Sequence, residues 1–126
     1  MQEINKKLKT HKDLDVWRES MEMTKEIYNI TKNFPREELY GLVSQMRRCA
    51  VSVPSNIAEG AGRSSEKEFV QFLYIAMSSL SEIETQYILS KELKFTEENP
   101  KLEDYMNRIR NMLTGLIKFL KSKKKT

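Results

Sequence analysis

The stretch RRCAVSVPSNIAEGAGR, Arg47 to Arg63, decides how this chain is read. It carries a proline near its centre, two glycines near its end and a run of small side chains, yet helix-period sequence flanks it on both sides. The stripe Leu39, Leu42, Val43, Met46, Cys49, Ala50, Val53, Ile57 and Ala61 keeps its three- and four-residue spacing across Pro54 with no change of phase, which a loop would have no reason to preserve. One helix is therefore predicted from Leu39 to about Ala61, bent at Pro54. A proline inside a helix removes one donor and presses on the carbonyl four residues back, here Ala50, at about 3 kcal/mol or more. Ser52 and Ser55 are the predicted compensation, bonding the freed carbonyls or holding a water there. The small side chains of Cys49, Ala50, Ser52, Ser55, Ala58, Gly60 and Ala61 then allow another backbone to come close.

Three further helices follow from the flanks. Before Pro35, Val16, Met23, Ile27, Ile30 and Phe34 repeat at near-heptad spacing, with Trp17, Met21 and Tyr28 widening the stripe. Asp13 or Asp15 is the expected cap of this segment, and Phe34-Pro35 its end, because the residue before proline avoids the α region. Pro35 is followed by Arg36, Glu37 and Glu38, whose acids suit the helix N-terminus of the second segment. Gly60 and Gly62 suit that segment's C-terminus, and Ser65-Glu66-Lys67-Glu68 reads as a capping box for a third helix. Its stripe is Phe69, Phe72, Leu73, Ala76, Leu80, Ile83 and Tyr87, ending around Glu92 or Leu93. The fourth opens near Thr96 or Asn99-Pro100 and turns Leu102, Tyr105, Met106, Ile109, Met112, Leu113, Leu116, Ile117 and Leu120 inward. Short connections between long helices force antiparallel neighbours, so the expected fold is all-α, an antiparallel up-down-up-down four-helix bundle with its second helix kinked at Pro54.

Composition agrees with one such unit. A chain of 126 residues can bury a core without staples, and four Gly, three Pro and 32% charged residues favour helices over a turn-rich sheet protein. One cysteine makes no internal disulfide, and the polar start MQEINKKLKTHKDLD holds no apolar signal segment. No run of eighteen apolar residues is present to span a bilayer, so the expected location is cytoplasmic with no membrane partner. The net charge of +4 is unevenly spread: Lys6, Lys7, Lys9 and Lys12 stand against Glu3 at the start, and Lys118, Lys121, Lys123, Lys124 and Lys125 stand with no acid at the end. Setting aside those nine bases and one acid from 22 and 18 leaves 13 against 17, an acidic middle. The expected organisation is a basic polar leader at 1–12, a bundle at 13–121 and a basic tail at 122–126.

The segment YGLVSQMRRCAVSVPSNIAEG, Tyr40 to Gly60, resembles the signature of the four-helix bundle proteins also called 23S rRNA intervening-sequence proteins. Phe34-Pro35, Phe69, Phe72-Leu73-Tyr74 and Glu82-Ile83-Glu84-Thr85-Gln86 fit the same pattern, so the resemblance spans about Leu14 to Leu120. It implies a bacterial four-helix bundle with no established enzymatic activity. A related branch, the accessory variability protein of diversity-generating retroelements, is a homopentamer that binds a reverse transcriptase and nucleic acid. The resemblance thus implies a homo-oligomer, a pentamer by that likeness, with RNA or DNA or a protein such as a polymerase or reverse transcriptase as partner.

Chemistry-bearing residues are sparse. Arg47 and Arg48 are the sharpest candidates, since guanidinium forks suit phosphate and carboxylate alike. Against that stands the reading that one of them pairs with Glu82 or Glu84, or with a neighbouring subunit. Glu59 lies four residues before Arg63, a spacing that supports a helix surface, and Asn56 is placed to bond across a subunit contact. Ser64 and Lys67 have S-x-x-K spacing but no partner motif, and capping explains the serines. His11 is the sole histidine, which leaves neither a His-based metal site nor a Ser-His triad. Glu59, Glu82, Glu84 and Glu92 lack the Glu-x-x-His pairs of di-metal bundles. Cys49 falls on the apolar stripe as a small hydrophobe, and Gly60 and Gly62 follow no strand, so they make no phosphate loop. The tail lysines suit phosphates or a solvated helix end equally, with no aromatic interleaved for base stacking. No enzyme and no cofactor are expected. The expected nucleic-acid contacts are Arg47, Arg48, Arg63, Lys121, Lys123, Lys124 and Lys125.

Overall fold

The computed structural model describes residues 10–123, so the leader lysines Lys6, Lys7 and Lys9 and the tail pair Lys124 and Lys125 lie outside the described residues. Four long helices account for the described chain: α1 (Asp15–Thr31), α2 (Ser44–Ala61), α3 (Glu66–Glu92) and α4 (Pro100–Lys123), with no strand among the described residues. A short 3-10 turn, His11–Asp13, precedes α1. Each helix meets its neighbours in reversed register. On α2 and α3 the pairs Met46–Ser90, Cys49–Gln86 and Ser52–Ser79 run in opposite directions. Arg47–Thr31 and Ala50–Thr24 do the same for α1 and α2, Glu103–Tyr87 and Lys123–Glu66 for α3 and α4, and Glu19–Arg108 and Glu26–Lys101 for α1 and α4. The result is an up-down-up-down bundle.

The stripes read from the sequence form its interior. Leu14, Met23, Ile27, Met46, Ile57, Leu73, Leu80, Ile83, Ile109 and Leu113 are fully buried in one core. Met21 and Tyr28, expected to widen the first stripe inward, are exposed instead, and so is Leu39. The 3.6-residue period of α1 carries Met21 and Tyr28 past the edge of the buried face, while Leu39 precedes the helix that would have aimed it. The cap of α1 also differs: its N-cap is Leu14, without a side-chain bond. Asp13 instead closes a capping box with Thr10 on the preceding turn.

The second helix is continuous through Pro54 from Ser44 to Ala61, and Val53 and Ile57 are both fully buried. Its start is not the regular helix expected at Leu39. A 3-10 turn at Arg36–Glu38 leads into a π-helical turn, Leu39–Val43, in which Gly41 has non-helical dihedrals of φ −112 and ψ −107. The Glu38 carboxylate accepts the N–H of Leu42 and caps this entry.

The carbonyl freed by Pro54 finds a partner on another helix. The Thr24 hydroxyl of α1 lies 3.1 Å from Ala50 O and 2.8 Å from Ser20 O of its own helix, so its single proton serves both. The serines expected to do this are not the ones that do. Ser52 Oγ is 2.8 Å from Ser79 Oγ on α3, and Asn56 Nδ2 donates to both the Ser52 carbonyl and its hydroxyl. Downstream, a Cβ added to Gly60 would stand 2.7 Å from Phe72 Cβ and 2.9 Å from Phe69 Cδ1. The close approach foreseen for the small residues therefore occurs within the chain, between the end of α2 and the start of α3.

At the opposite end, Tyr87 anchors the start of α4. Its hydroxyl donates to Glu103 at 2.7 Å and accepts the backbone N–H of Asn99 at 2.7 Å, while Asn99 Oδ1 caps the N–H of Leu102. Burial, followed by the hydrogen bond to Glu103, pushes the Tyr87 hydroxyl up to about 12.

Two expected outcomes follow. Thr24→Val leaves Ala50 O short of a donor and should cost about 1–2 kcal/mol in urea unfolding. In a Pro54→Ala background the restored N–H serves that carbonyl, and the same change should cost only a few tenths, roughly. A tyrosine held protonated in the folded state and titrating near 10 when unfolded adds stability that is complete below about pH 10 and lost as pH climbs toward 12. Comparison of unfolding midpoints from neutral pH to pH 11 should therefore show a shallower alkaline decline for Tyr87→Phe than for the parent protein.

Candidate nucleic-acid interface

Arg47 and Arg48 sit side by side on α2 but have different surroundings. Arg47 turns toward α1, where Nε donates to the Thr31 hydroxyl at 2.9 Å and the guanidinium lies 4.6 Å from the centre of the Tyr28 ring. Thr31 is buried and passes its own proton to Ile27 O at 2.7 Å, so Arg47 completes a local chain of hydrogen bonds. The pairing expected with Glu82 or Glu84 does not occur for Arg47. Glu84 is taken by Arg110 of α4, which also reaches Ser81. Arg48 is exposed, and among the described residues its side chain makes no hydrogen bond or ion pair.

Around these arginines lies an open groove of about 520 Å³, lined by Tyr28, Leu39, Tyr40, Val43, Ser44, Arg47, Arg48 and Val51. It holds two cations and no acid. Tyr40 projects from the π turn with 93% of its surface in water. Sequence reasoning found the arginines here and missed the rest, placing Tyr28 and Leu39 on the inward stripe and giving Tyr40 no role. A second periodicity was available: Tyr40, Ser44, Arg48 and Val51 recur at three- and four-residue spacing on the face opposite Val43, Met46, Ala50 and Val53.

The remaining candidates lie elsewhere. Arg63 pairs with Glu59 at 2.7 Å, as its spacing foretold, and its guanidinium lies 4.8 Å from the Phe72 ring centre. Lys123 meets Glu66 at 2.6 Å, and Lys121 Nζ is 3.3 Å from the Tyr74 hydroxyl. These three groups gather at the end of the bundle where α2 stops and α3 starts. Arg48 lies fifteen residues before Arg63, about 22 Å at the helical rise. A single contiguous patch of all the candidate cations is therefore not built by one copy.

Other chemistry is absent from the described surface or accounted for. Burial pushes the Cys49 thiol up, the hydrogen bond from Gln86 opposes this, Glu82 adds to it and Arg48 opposes it, with the rise prevailing. A thiol so held is not a nucleophilic thiolate at neutral pH. Ser65 accepts the N–H of Glu68 and caps α3, the serine half of the expected capping box. Among the described residues no group of three or more His, Cys, Asp and Glu side chains is placed to hold a metal ion, and no helix is long and apolar enough to cross a membrane.

Two comparisons bear on identity. The family model described as 23S rRNA-intervening sequence protein matches residues 12–115, most of the chain and all of the groove. No curated protein matches the sequence.

The two arginines should separate in unfolding experiments. Arg47→Ala removes the bond to Thr31 and the cover over Tyr28, and a loss of about 1–2 kcal/mol in stability is expected. Arg48→Ala removes no contact and should change stability by less than about 0.5 kcal/mol.

Proposed function

The chain belongs to the 23S rRNA-intervening sequence protein family, and on that premise we propose that it is a non-enzymatic, self-assembling helical bundle that binds nucleic acid in the cytoplasm, with structured RNA or its ribonucleoprotein as partner. One observation carries this reading: Arg48 extends without an intramolecular partner into a groove that also holds Arg47 and contains no acid. An unpaired guanidinium presents a planar fork of donors that matches a phosphate. At the other end Lys121 carries a charge with no carboxylate on it among the described residues, while Arg63 and Lys123 would have to exchange Glu59 and Glu66 for a phosphate. Cations some 20 Å apart suit a long polyanion better than a small ligand.

Self-assembly is supported by a different surface. Tyr74 and Ile75 in the first half of α3, and Ile88, Leu89 and the C-cap Leu93 at its end, stand exposed as two apolar groups with the polar Ser78, Ser81, Glu82 and Thr85 between them, and clustered apolar side chains of this kind mark contact surfaces. A pentamer is the number that the family resemblance carries. The same apolar residues favour a second reading, an adaptor for a polypeptide such as a polymerase or reverse transcriptase. A pull-down repeated after nuclease treatment separates the two, because a partner bridged by RNA is lost and a directly held polypeptide stays.

Phosphate contact fixes how affinity depends on salt. Titrating a structured RNA at several salt concentrations should give a steep decline, and Arg48→Ala should lessen the log–log slope by about one. Equal binding by the full chain and by a form lacking residues 122–126 would remove the tail from the account. Salt-independent binding, or none, would remove the nucleic acid.

A further inference from the structure

Among the described residues Tyr40 is the most exposed large hydrophobic side chain, and the fold gains nothing from where it stands. Its ring packs on no core residue; the π turn Leu39–Val43 holds it at the mouth of the groove. The break in helical dihedrals at Gly41 inside this turn re-aims the side chain that precedes it. Beside it lie the half-exposed apolar surfaces of Leu39 and Val51 and the unpaired guanidinium of Arg48. Arg47 already stands over the Tyr28 ring, so Tyr40 offers the more open aromatic surface here.

We propose that this groove takes an unstacked nucleobase of single-stranded RNA, with the Tyr40 ring as its stacking platform and Arg48 meeting the adjoining phosphate. The proposal rests on the nucleic-acid reading above and narrows it to unpaired segments. A π face, a cation and no acid within one open groove of about 520 Å³ complement a ligand that joins an aromatic plane to a negative charge. A nucleotide is such a ligand. Stacking of a base on an aromatic side chain is tolerant of sequence, whereas in an A-form duplex the base faces are spent on one another and only phosphates, 2′-hydroxyls and edges are presented. Near the tail, Tyr74 and Phe119 are already met by Lys121 and Lys123, whereas the Tyr40 ring meets no cation among the described residues. A protein surface is better matched by α3, whose exposed Ile75, Ile88, Leu89 and Leu93 have no guanidinium among them.

The test is fluorescence anisotropy with two probes, a labelled short oligouridylate and a labelled RNA duplex of equal length, on the full chain and on Tyr40→Ala, Tyr40→Phe and Arg48→Ala. Light-scattering mass is measured for each protein. Tyr40→Ala should weaken oligouridylate binding about tenfold and leave duplex binding unchanged. Tyr40→Phe, which keeps the ring, should retain the parent affinity. Arg48→Ala should weaken both probes and reduce both salt slopes. If Tyr40→Ala leaves oligouridylate binding intact while Arg48→Ala weakens both probes, the stacking site is overturned and the phosphate reading survives. If neither probe responds to either variant, both fall. A drop in assembly mass on Tyr40→Ala overturns the proposal in another way, by making the groove a contact between copies.

Discussion

The Ala50 carbonyl is the point on which this bundle turns. Pro54 cannot donate to it, and Ala50 is fully buried, so water has no ready access. A buried carbonyl left alone costs on the order of 1–3 kcal/mol. The Thr24 hydroxyl supplies the missing donor from the neighbouring helix. This bond fixes α1 against α2 in axial position and rotation, because only one residue of α1 can reach one carbonyl of α2. A proline that would weaken an isolated helix thus becomes a reason for two helices to keep one register.

The other side of α2 is held differently. Ser52 and Ser79 meet through their hydroxyls, Asn56 folds back onto Ser52, and Gly60 lets α2 approach Phe69 and Phe72 with no side chain between. Small residues here bring two backbones together within the chain, and the polar groups among them are satisfied by each other. With both flanks of α2 committed to α1 and α3, its outward face is what remains for other work. Arg48 and Val51 lie on that face, and the π turn continues it to Tyr40.

Much of this was legible in the sequence for a plain reason: burial imposes periodicity, and periodicity survives Pro54 because the side-chain directions do not depend on the lost hydrogen bond. The helix bodies, the Ser65 cap, the Asn99-Pro100 start and the Glu59–Arg63 pair are local or nearly local, so residue spacing sets them. What stayed hidden is non-local or depends on backbone detail. No spacing rule connects Thr24 to Ala50 or Arg110 to Glu84, which are 26 residues apart in each case. The π turn shifts the helix phase by a fraction of a turn, which moved Leu39 outward and left Tyr40 in solvent. The end of α3 shows both sides: Lys94 takes the left-handed conformation, φ 64, that glycine usually fills. Phe95 N–H then closes onto Ser90 O, and the Phe95 ring packs on Phe34.

Charge placement bears on how the proposed assembly and the proposed nucleic-acid binding would work together. Several cations on the described surface are held in ion pairs: Arg108 by Glu19 and Asp104, Arg110 by Glu84, Arg63 by Glu59, Lys123 by Glu66. An exposed pair of this kind contributes little to stability, about 0–1 kcal/mol, yet it does hold the guanidinium or ammonium away from other partners. The groove of one copy offers only Arg47 and Arg48, and a few phosphate contacts give only weak, salt-sensitive affinity. Several copies in the proposed assembly would present the same few contacts repeatedly to a single polyanion. Each further engagement is then intramolecular, and avidity exceeds single-copy affinity by orders of magnitude without a new residue. In the proposed reading the exposed apolar side chains of α3 and the acid-free groove of α2 would act together, the first multiplying what the second supplies.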